Sequence, residues 1–515
     1  MSSPSTSAPR LRAAEPAAYA SAHGTDTSAH DTHDRNGQNE ELGALELDEY
    51  ASFDAVGLRE LIRTREVSAA EVEACARRAL EQADGELNAL TQPLFDPSLA
   101  HEPEGPFGGV PFVIKDSGPF AQGVPFTLGS RSIKGAYALV DHDLMARFRA
   151  AGLVALGQST APEFGLSFAT ESVRYGPTRN PWNPKRGVGG SSGGAAALVA
   201  AGAVPLAHAN DAGGSIRVPA SSCGLVGLKP GLGRTPCGPT SGEIAFGQLV
   251  EFAVTRTVRD TAHLLDAVCA PAVGDKYQAP PPTRPYAEAI RTDPGRLRIA
   301  LTTVPWTGGT VDPQVADAAV TAGQVLEWIG HTVTEAGPDV DGGAVVEAAM
   351  LTVVTTGGAV LRGAPRRPDP AKLEAVSRRV LTETEDFTLL DVMAATEAQN
   401  VVTRAVGRFF QEHDLLLTPT LGRLPAPHGT LDYDHEGHSA RSWLHRLFTY
   451  GPFTATFNVS GNPAISLPLG QSREGLPIGV QLVAAHGRED LLLQVAAQLE
   501  QAVPWRDRTP QVSVG

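Results

Sequence analysis

Short apolar segments that alternate with helical segments are the feature that most constrains the fold of this chain. The run from Val110 to Ile114 is wholly apolar and leads directly into Lys115, which is typical of a buried strand that carries a lysine at its end. A helical pattern over 141–151 and a second apolar run over 154–156 follow. Strands joined through helices usually pair in parallel. The sequence therefore predicts an α/β fold with a mixed, mostly parallel twisted central sheet covered by helices on both faces.

Composition along the rest of the chain predicts an N-terminal tail followed by one large domain. Residues 1–40 are rich in Ser, Ala, Thr, His, Asp and Asn and offer little to bury, so a disordered tail is expected there. Residues 41–515 are expected to form a single domain, because large α/β sheets often exceed the usual domain length. Further expected elements are a helix after the capping residue Ser68, a loop at 174–190, a helix at 195–203, strands at 298–302 and 415–417, a hairpin over 465–469 and 478–484, and a terminal helix at 490–503.

Charge and cysteine usage exclude several classes of partner and site. Lys and Arg total 42 and Asp and Glu 57, a net charge of −15 that disfavours nucleic acid and anionic membranes as partners. No apolar run of 18 residues and no secretory signal are evident, and none of the four cysteines belongs to a C-x-x-C pair. A cytoplasmic protein with neither metal nor cofactor is expected, since metal-binding H-E-x-x-H and phosphate-binding G-x-x-x-x-G-K patterns are also missing from the sequence.

Two segments rich in glycine and serine are the candidates for chemistry. Residues 189–194 read Gly-Gly-Ser-Ser-Gly-Gly, and residues 211–217 read Asp-Ala-Gly-Gly-Ser-Ile-Arg. Consecutive glycines allow main-chain N–H groups to converge on one point and stabilise a developing oxyanion. A serine beside such a point can attack a carbonyl if a base takes its proton. Only His208 adjoins either segment, so Lys115, if burial keeps its amine neutral, is the natural base.

Three other interpretations of these segments fit less well. Glycine and serine are common in flexible linkers, but both segments abut sequence typical of ordered structure. The pattern Gly-x-Ser-x-Gly at 189–193 matches the nucleophile elbow of α/β-hydrolases, which requires a preceding strand. Instead, three prolines precede it, at Pro177, Pro181 and Pro184. A dinucleotide-binding motif fails because Ser192 occupies the position of its third glycine.

Four segments together resemble the amidase signature family. Besides the two glycine-serine segments, residues 109–116 read Gly-Val-Pro-Phe-Val-Ile-Lys-Asp and residues 223–230 read Cys-Gly-Leu-Val-Gly-Leu-Lys-Pro. Ser215 follows Ser191 by 24 residues, the separation that the family shows. Family-like sequence extends from about 42 to 505. The resemblance implies the family's fold and a variable region at about 305–450 that forms the substrate pocket.

The resemblance also implies a role for each residue of the motifs. Ser215 is the implied acyl-enzyme nucleophile, and Ser191, after a cis peptide bond with Gly190, is the implied bridging serine. Lys115 is the implied terminal base. The N–H groups of the implied oxyanion hole belong to Ala212, Gly213, Gly214 and Ser215. The implied supporting residues are Gly190, Ser192, Asp211 and Arg217.

The sequence around the second segment indicates which branch of the family the chain resembles. Many members read Gly-Thr-Asp-Thr-Gly-Gly-Ser where this chain reads Ala-Asn-Asp-Ala-Gly-Gly-Ser at 209–215. With Gly-Arg-Thr-Pro at 233–236 and Phe-Asn-x-Ser-Gly-Asn-Pro-Ala at 457–464, the chain is similar to 6-aminohexanoate-cyclic-dimer hydrolases, which cleave amides between aliphatic carbons. It resembles less the glutaminyl-tRNA amidotransferase A subunit, which carries serine or threonine before the Asp and threonine after it.

The predicted function is hydrolysis of a small-molecule amide, such as a cyclic or linear aminohexanoate oligomer, through an acyl-enzyme. The alternatives are a glutamine-dependent amidotransferase subunit, a general aryl or aliphatic amidase with esterase activity, and a catalytically silent binding protein. The predicted substrate-binding residues are Asn210, Trp306, Tyr450 and Phe453, with Phe448 also a candidate. Single aromatic residues of this kind are more often part of a core. The resemblance further implies a homodimer.

Overall fold

The computed structural model describes residues 45–240, 245–363 and 367–515, so the predicted tail at 1–40 lies outside the described residues. The helices within these ranges are α1 (Leu47–Ser52), α2 (Ala55–Thr64), α3 (Ala69–Leu87), α4 (Asp143–Ala150), α5 (Gly193–Ala200), α6 (Arg217–Cys223), α7 (Val258–Val268), α8 (Tyr286–Ala289), α9 (Pro313–Trp328), α10 (Gly342–Gly363), α11 (Ala375–Asp386), α12 (Leu389–Glu412), α13 (Ala440–Tyr450), α14 (Thr456–Val459) and α15 (Glu489–Ala502). The strands are β1 (Pro111–Lys115), β2 (Val154–Ser159), β3 (Glu171–Ser172), β4 (Gly176–Pro177), β5 (Arg179–Asn180), β6 (Asn183–Gly187), β7 (Leu206–Asp211), β8 (Val226–Lys229), β9 (Val250–Thr255), β10 (Arg298–Leu301), β11 (Thr332–Glu335), β12 (Leu415–Pro419), β13 (Ala464–Gln471) and β14 (Pro477–Ala484).

An eight-stranded mixed sheet forms the centre of the fold, in the order β11-β10-β12-β14-β13-β8-β9-β7. β10 pairs in parallel with β11 and with β12, and the other five neighbouring pairs are antiparallel. β1 and β2 form a separate parallel pair. The prediction of an α/β fold with a mixed sheet is confirmed, whereas the prediction that this sheet is mostly parallel is wrong.

The sheet is mostly antiparallel because later parts of the chain insert strands between strands that were expected to be neighbours. β7 and β8 are joined through α6 and run in the same direction, as the alternation predicts, but β9 lies between them and is antiparallel to both. β14 lies in the same way between β12 and β13. A strand-helix-strand pattern fixes the relative direction of the strands that it joins. It does not reveal a strand that is later inserted between them.

Apolar side chains cover both faces of this sheet, as predicted. Successive residues of a strand point to opposite faces. In β12, Leu415 and Leu417 belong to one cluster of buried apolar residues, and Leu416 belongs to the other. The first cluster includes Ala319 of α9, and the second includes Val345 of α10. Helices therefore pack on both faces.

Several helices and strands lie where the local sequence predicts them. Ser68 begins α3 with a reciprocal cap, because its Oγ accepts from the Glu71 N–H at 3.1 Å while the Glu71 carboxylate accepts from the Ser68 N–H at 2.7 Å. The hairpin β13–β14 and the terminal helix α15 are also present where predicted. The segment 174–190 is not only a loop, since it contains the short strands β4, β5 and β6. Pro177 and Pro184 fit in them because these strands form two-stranded ladders outside the central sheet.

α10 is the one helix of the described chain whose length and composition would allow it to cross a membrane, with a mean hydropathy of 1.7. Half of that stretch is buried inside the domain. Val345, Met350 and Val353 of this helix belong to the second apolar cluster. α10 therefore packs as a core helix.

Candidate active site

Lys115 lies at the end of β1 and is surrounded by three side-chain oxygens. Its Nζ is 2.7 Å from Ser191 Oγ, 3.0 Å from Ser192 Oγ and 2.6 Å from Asn210 Oδ1, and the residue is 1% exposed. Burial lowers the pKa of Lys115 to about 7, although neighbouring carboxylates, Glu251 foremost, raise it. Much of this lysine is therefore uncharged near neutral pH, and an uncharged amine can accept a proton.

The first glycine-serine segment, 189–194, leads into α5 and supplies two of these oxygens. The Gly190–Ser191 peptide bond is cis, the geometry that the family resemblance implies. Both serines of the segment are buried. Ser192 Oγ also donates to the main-chain oxygen of Asn210 at 3.3 Å. This bond ties the first segment to β7, the strand that leads into the second segment.

A buried ion pair spans the second segment, 211–217, which connects β7 to α6. Arg217 Nε lies 2.9 Å from one carboxylate oxygen of Asp211, and Arg217 Nη2 lies 2.9 Å from the other. Asp211 also accepts from the Ile216 N–H at 3.1 Å. Burial alone would raise the pKa of Asp211, but the charge of Arg217 lowers it well below its usual range. The two ends of the segment are thus fixed to each other by charge and hydrogen bonds.

All five N–H groups of Arg217 have acceptors. Besides Asp211, Nη1 donates to the Thr454 main-chain oxygen at 2.9 Å and to Gln481 Oε1 at 2.8 Å, and Nη2 donates to Asn458 Oδ1 at 2.6 Å. Asn458 Nδ2 returns to Asp211, donating to its carboxylate at 2.8 Å and to its main-chain oxygen at 3.0 Å. Distant parts of the chain therefore hold this segment in place.

Ser215 lies within this anchored segment, two residues before α6, and is 6% exposed. The preceding residue, Gly214, has φ +148°, and a Cβ there would lie 2.6 Å from Thr454 Oγ1. Thr454 Oγ1 donates to the Gly213 main-chain oxygen at 2.6 Å. Only glycine fits at 214, and the main chain before Ser215 has little room to move.

The predicted pocket residues separate into two groups. Asn210 belongs to the immediate surroundings of Lys115. Trp306 packs edge to face against Phe453, with ring centroids 5.8 Å apart, and Phe453 is fully buried. Tyr450 is buried in α13. That any of these four residues contacts a substrate stays a prediction.

Two other aromatic rings lie next to the second segment. A Cβ built on Gly213 would be 3.3 Å from Phe448 Cε1 and 3.9 Å from Phe168 Cζ. The two ring centroids are 6.5 Å apart. Phe448 is one of the candidates predicted from the sequence, whereas no local pattern distinguishes Phe168 from a core residue.

Sequence reasoning also missed Glu251 and Gln481, although a signal for both exists. Each is a polar residue inside an otherwise apolar run, Glu251 in β9 and Gln481 in β14, and each is buried. A polar group in such a place needs a hydrogen-bonding or charged partner. Gln481 binds Arg217, and Glu251 faces Asn210 across the ladder between β7 and β9.

A second buried lysine lies near this site. Lys229, at the end of β8, donates to the Pro230 main-chain oxygen at 2.9 Å, and burial lowers its pKa to about 7. Among the residues that the structure describes, no group of three or more His, Cys, Asp or Glu could hold a metal ion. Lys115 differs from Lys229 in having serine hydroxyls as neighbours.

The fold and these segments belong to a known class of enzyme. The amidase family model matches residues 58–493, so the chain belongs to the amidase family and is a hydrolase of carbon–nitrogen bonds. It is 40% identical to the 6-aminohexanoate-cyclic-dimer hydrolase of Paenarthrobacter ureafaciens over 479 residues, which cover 89% of this chain and 96% of that protein. The protein of the same name from Pseudomonas sp. (strain NK87) is also 40% identical, over 481 residues.

Solved structures of amidase family enzymes share the fold of this chain. A structure of 6-aminohexanoate cyclic dimer hydrolase superposes with a TM-score of 0.83 at 38% identity, covering 90% of this chain and 99% of that one. A bacterial aryl acylamidase of the amidase signature family superposes with a TM-score of 0.78 at 27% identity, covering 88% and 96%. The predicted membership of the amidase signature family and its fold are confirmed.

Proposed function

We propose that this protein hydrolyses a small-molecule amide through an acyl-enzyme formed on Ser215. In this proposal, Lys115 is the base and Ser191 carries the proton between Lys115 and Ser215. The main-chain N–H groups of Ala212, Gly213, Gly214 and Ser215 stabilise the oxyanion. Asp211 and Arg217 hold these groups in place.

One observation carries the proposal, namely the 2.7 Å separation of Lys115 Nζ and Ser191 Oγ. The two residues are 76 positions apart in the chain, since Lys115 ends β1 and Ser191 lies two residues before α5. A buried lysine that contacts a serine and has a pKa of about 7 is partly uncharged at neutral pH and is equipped to remove a hydroxyl proton. The other buried lysine, Lys229, donates to a main-chain oxygen, which has no proton to give up.

The proposed reaction conserves protons at each step. The lone pair of Lys115 accepts the proton of Ser191, Ser191 accepts that of Ser215, and the Ser215 oxygen bonds to the amide carbon. When the carbon–nitrogen bond breaks, the same proton returns to the departing amine. Water then attacks the ester, releases the acid and restores Ser215.

We further propose an aliphatic amide substrate, cyclic or linear, of the aminohexanoate type. The 40% identity to 6-aminohexanoate-cyclic-dimer hydrolases over nearly the whole chain supports this choice. A panel of cyclic and linear aminohexanoate oligomers, simple aliphatic amides, anilides and glutamine tests it. Preference for anilides would instead favour the activity named for the aryl acylamidase relative.

We also propose that residues 41–515 act as one catalytic domain in the cytoplasm, with a small-molecule amide as the principal partner and a homodimer as the assembly. The buried thiols of Cys75 and Cys223 agree with a reducing compartment.

Replacing the proposed nucleophile tests the reaction directly. Ser215→Ala should lower kcat on the best amide of the panel by roughly 10⁴-fold or more, because no acyl-enzyme can form. Ser222→Ala is the matched control, since Ser222 is a buried serine of α6 whose Oγ has no hydrogen-bond partner among the described residues. Its removal should leave both kcat and the melting temperature close to wild type. Full activity in folded Ser215→Ala would refute the assignment.

A further inference from the structure

The directions of the hydrogen bonds around Lys115 point to a residue that positions its amine. Asn210 Oδ1 lies 2.6 Å from Lys115 Nζ, closer than either serine oxygen. A side-chain amide has one end that only donates and one end that only accepts. The orientation of Asn210 therefore decides what the amine of Lys115 can do.

The surroundings of Asn210 allow only one orientation of its amide. Its Nδ2 donates to the Ser117 main-chain oxygen at 3.2 Å, and Asn210 helps to lower the pKa of the neighbouring Glu251 carboxylate. Glu251 is the direct partner of Asn210 in the ladder between β7 and β9. Neither a main-chain oxygen nor a carboxylate can donate, so the NH₂ group must point toward them. The amide oxygen must then face Lys115.

Counting protons at Nζ shows where the lone pair of Lys115 points. An uncharged amine has two N–H groups and one lone pair. Asn210 Oδ1 can only accept, so it takes the first N–H. Ser192 Oγ gives its own proton to the Asn210 main-chain oxygen, so it accepts the second N–H. The lone pair is left for Ser191 Oγ, 2.7 Å away.

We propose that Asn210 is a positioning residue that directs the lone pair of Lys115 toward Ser191, and that Glu251 keeps the Asn210 amide in the orientation that this requires. This inference rests on the proposed function, in which Lys115 acts as a base through Ser191. Without the Asn210 oxygen, the amine can rotate and present an N–H to Ser191, which removes no proton.

The charges near this network determine how substitutions shift its titration. The titratable groups that face Lys115 are Glu251, Asp211 and Asp116, and those that face Glu251 are His142 and His208. Burial alone would raise the pKa of Glu251, but the two histidines and Asn210 lower it to about 2. Glu251 is therefore ionised throughout the range in which Lys115 titrates. Its negative charge favours the charged form of Lys115.

The test measures how fast a fluorophosphonate labels Ser215 as a function of pH, with the labelled site identified by mass spectrometry. Labelling forms the Ser215 oxygen–phosphorus bond, expels fluoride and needs the same proton transfer as acylation. Asn210→Ala should lower the labelling rate by about a hundredfold at every pH, since a general base contributes at least that much. Substrate KM should change little, which separates loss of positioning from loss of binding.

Two charge-changing variants should move the pH profile in opposite directions. Asn210→Asp adds a negative charge beside Lys115 and favours its charged form, so the rise in labelling should move to higher pH. Glu251→Gln removes a negative charge, so the rise should move to lower pH. Both shifts identify Lys115 as the titrating group, whereas the loss of labelling without a change in KM in Asn210→Ala reports on positioning. Asn210→Asp is nearly isosteric and serves as the second variant if Asn210→Ala does not fold.

Asn462→Ala is the matched control, because Asn462 is also 6% exposed and its Nδ2 also donates to a main-chain oxygen, that of Ala484 at 2.8 Å. It should keep the wild-type labelling rate and profile. Wild-type rates in folded Asn210→Ala would overturn the inference and leave the proposed function intact. Unshifted profiles in both charge variants would contradict Lys115 as the titrating base and would overturn the proposed function together with the inference. Labelling of wild type at a residue other than Ser215 would instead overturn the proposed function, and the inference with it.

Discussion

Lys115 is buried beside carboxylates, and whether its amine is charged decides whether it can accept a proton. Burial removes the water that stabilises an ammonium ion and lowers the pKa to about 7, whereas Glu251, Asp211 and Asp116 oppose that change. The loss of hydration has the larger effect. A pKa of about 7 is what the proposed role of Lys115 as a base at neutral pH requires.

The pH dependence of turnover follows from this titration. Below about pH 7, Lys115 is protonated and has no lone pair for the Ser191 proton, so kcat/KM should fall as the pH falls through about 7 and rise to a plateau above it. The measurement is kcat/KM on an uncharged amide between about pH 5 and about pH 9.

Lys229 provides the control for this assignment, because burial also lowers its pKa to about 7. Lys229→Met should retain the same rise in kcat/KM even if it lowers stability. Disappearance of the rise in folded Lys229→Met would assign the titration to Lys229 and contradict the role of Lys115.

At the scale of elements, the segment between β7 and α6 is shaped by its contacts with α14, β14 and the turn before α14. Arg217 and Asn458 fix its ends, while Thr454 Oγ1 binds the Gly213 carbonyl and occupies the space beside Gly214. The segment is short and glycine-rich, yet it is held from several sides. Its rigidity comes from its neighbours, not from its own composition.

Gly214→Ala, compared with a control glycine, should separate the effect of a steric clash from the effect of backbone strain at positive φ. The new Cβ would meet Thr454 Oγ1 at 2.6 Å, displace the main chain and misplace an oxyanion donor, so kcat should fall by roughly 10²–10³-fold. Gly475→Ala is the control, since Gly475 also has positive φ, +78°, but has nothing within 4 Å of a Cβ. It should cost about 1 kcal/mol of stability and leave kcat unchanged. Equal kcat losses in the two variants would contradict the proposed oxyanion hole.

The limits of sequence reasoning also appear at this scale. Ser68 as the cap of α3 and the run that delivers Lys115 were predictable, because capping and burial leave a local pattern. The antiparallel insertion of β9 was not, because strand order depends on contacts that no short segment encodes. The two glycine-serine segments stood out in the sequence because their composition is local. The contacts of Arg217 with Thr454 and Gln481 join residues 237 and 264 positions apart, and no short segment predicts such contacts.

The whole domain is built on two apolar clusters that are formed by residues from Leu45 onward. The first cluster reaches Tyr50 of α1, which is 1% exposed and donates from its hydroxyl to the Ala203 main-chain oxygen at 3.0 Å. The N-terminal boundary of the folded unit is therefore expected just before α1.

Two truncations test that boundary. Removing residues 1–40 should leave the melting temperature and amide hydrolysis close to wild type, since no core residue named above is lost. Removing residues 1–52 deletes Leu45 and Tyr50 of the first cluster and should lower stability by at least about 3–5 kcal/mol, the usual cost of losing a large buried aromatic side chain alone. A large loss of stability on the shorter truncation, measured by thermal unfolding, would move the boundary toward the N-terminus.

The anchoring of Arg217 has a consequence for synthesis on the ribosome. Its partners Thr454 and Gln481 follow it by 237 and 264 residues, so translation must continue for on the order of tens of seconds after Arg217 is made before they exist. Until then, the guanidinium lacks acceptors that the finished enzyme provides. A nascent polypeptide therefore carries the proposed nucleophile, Ser215, long before the segment around it is anchored, and we expect hydrolytic competence only after the last strand of the sheet, β14, has been made.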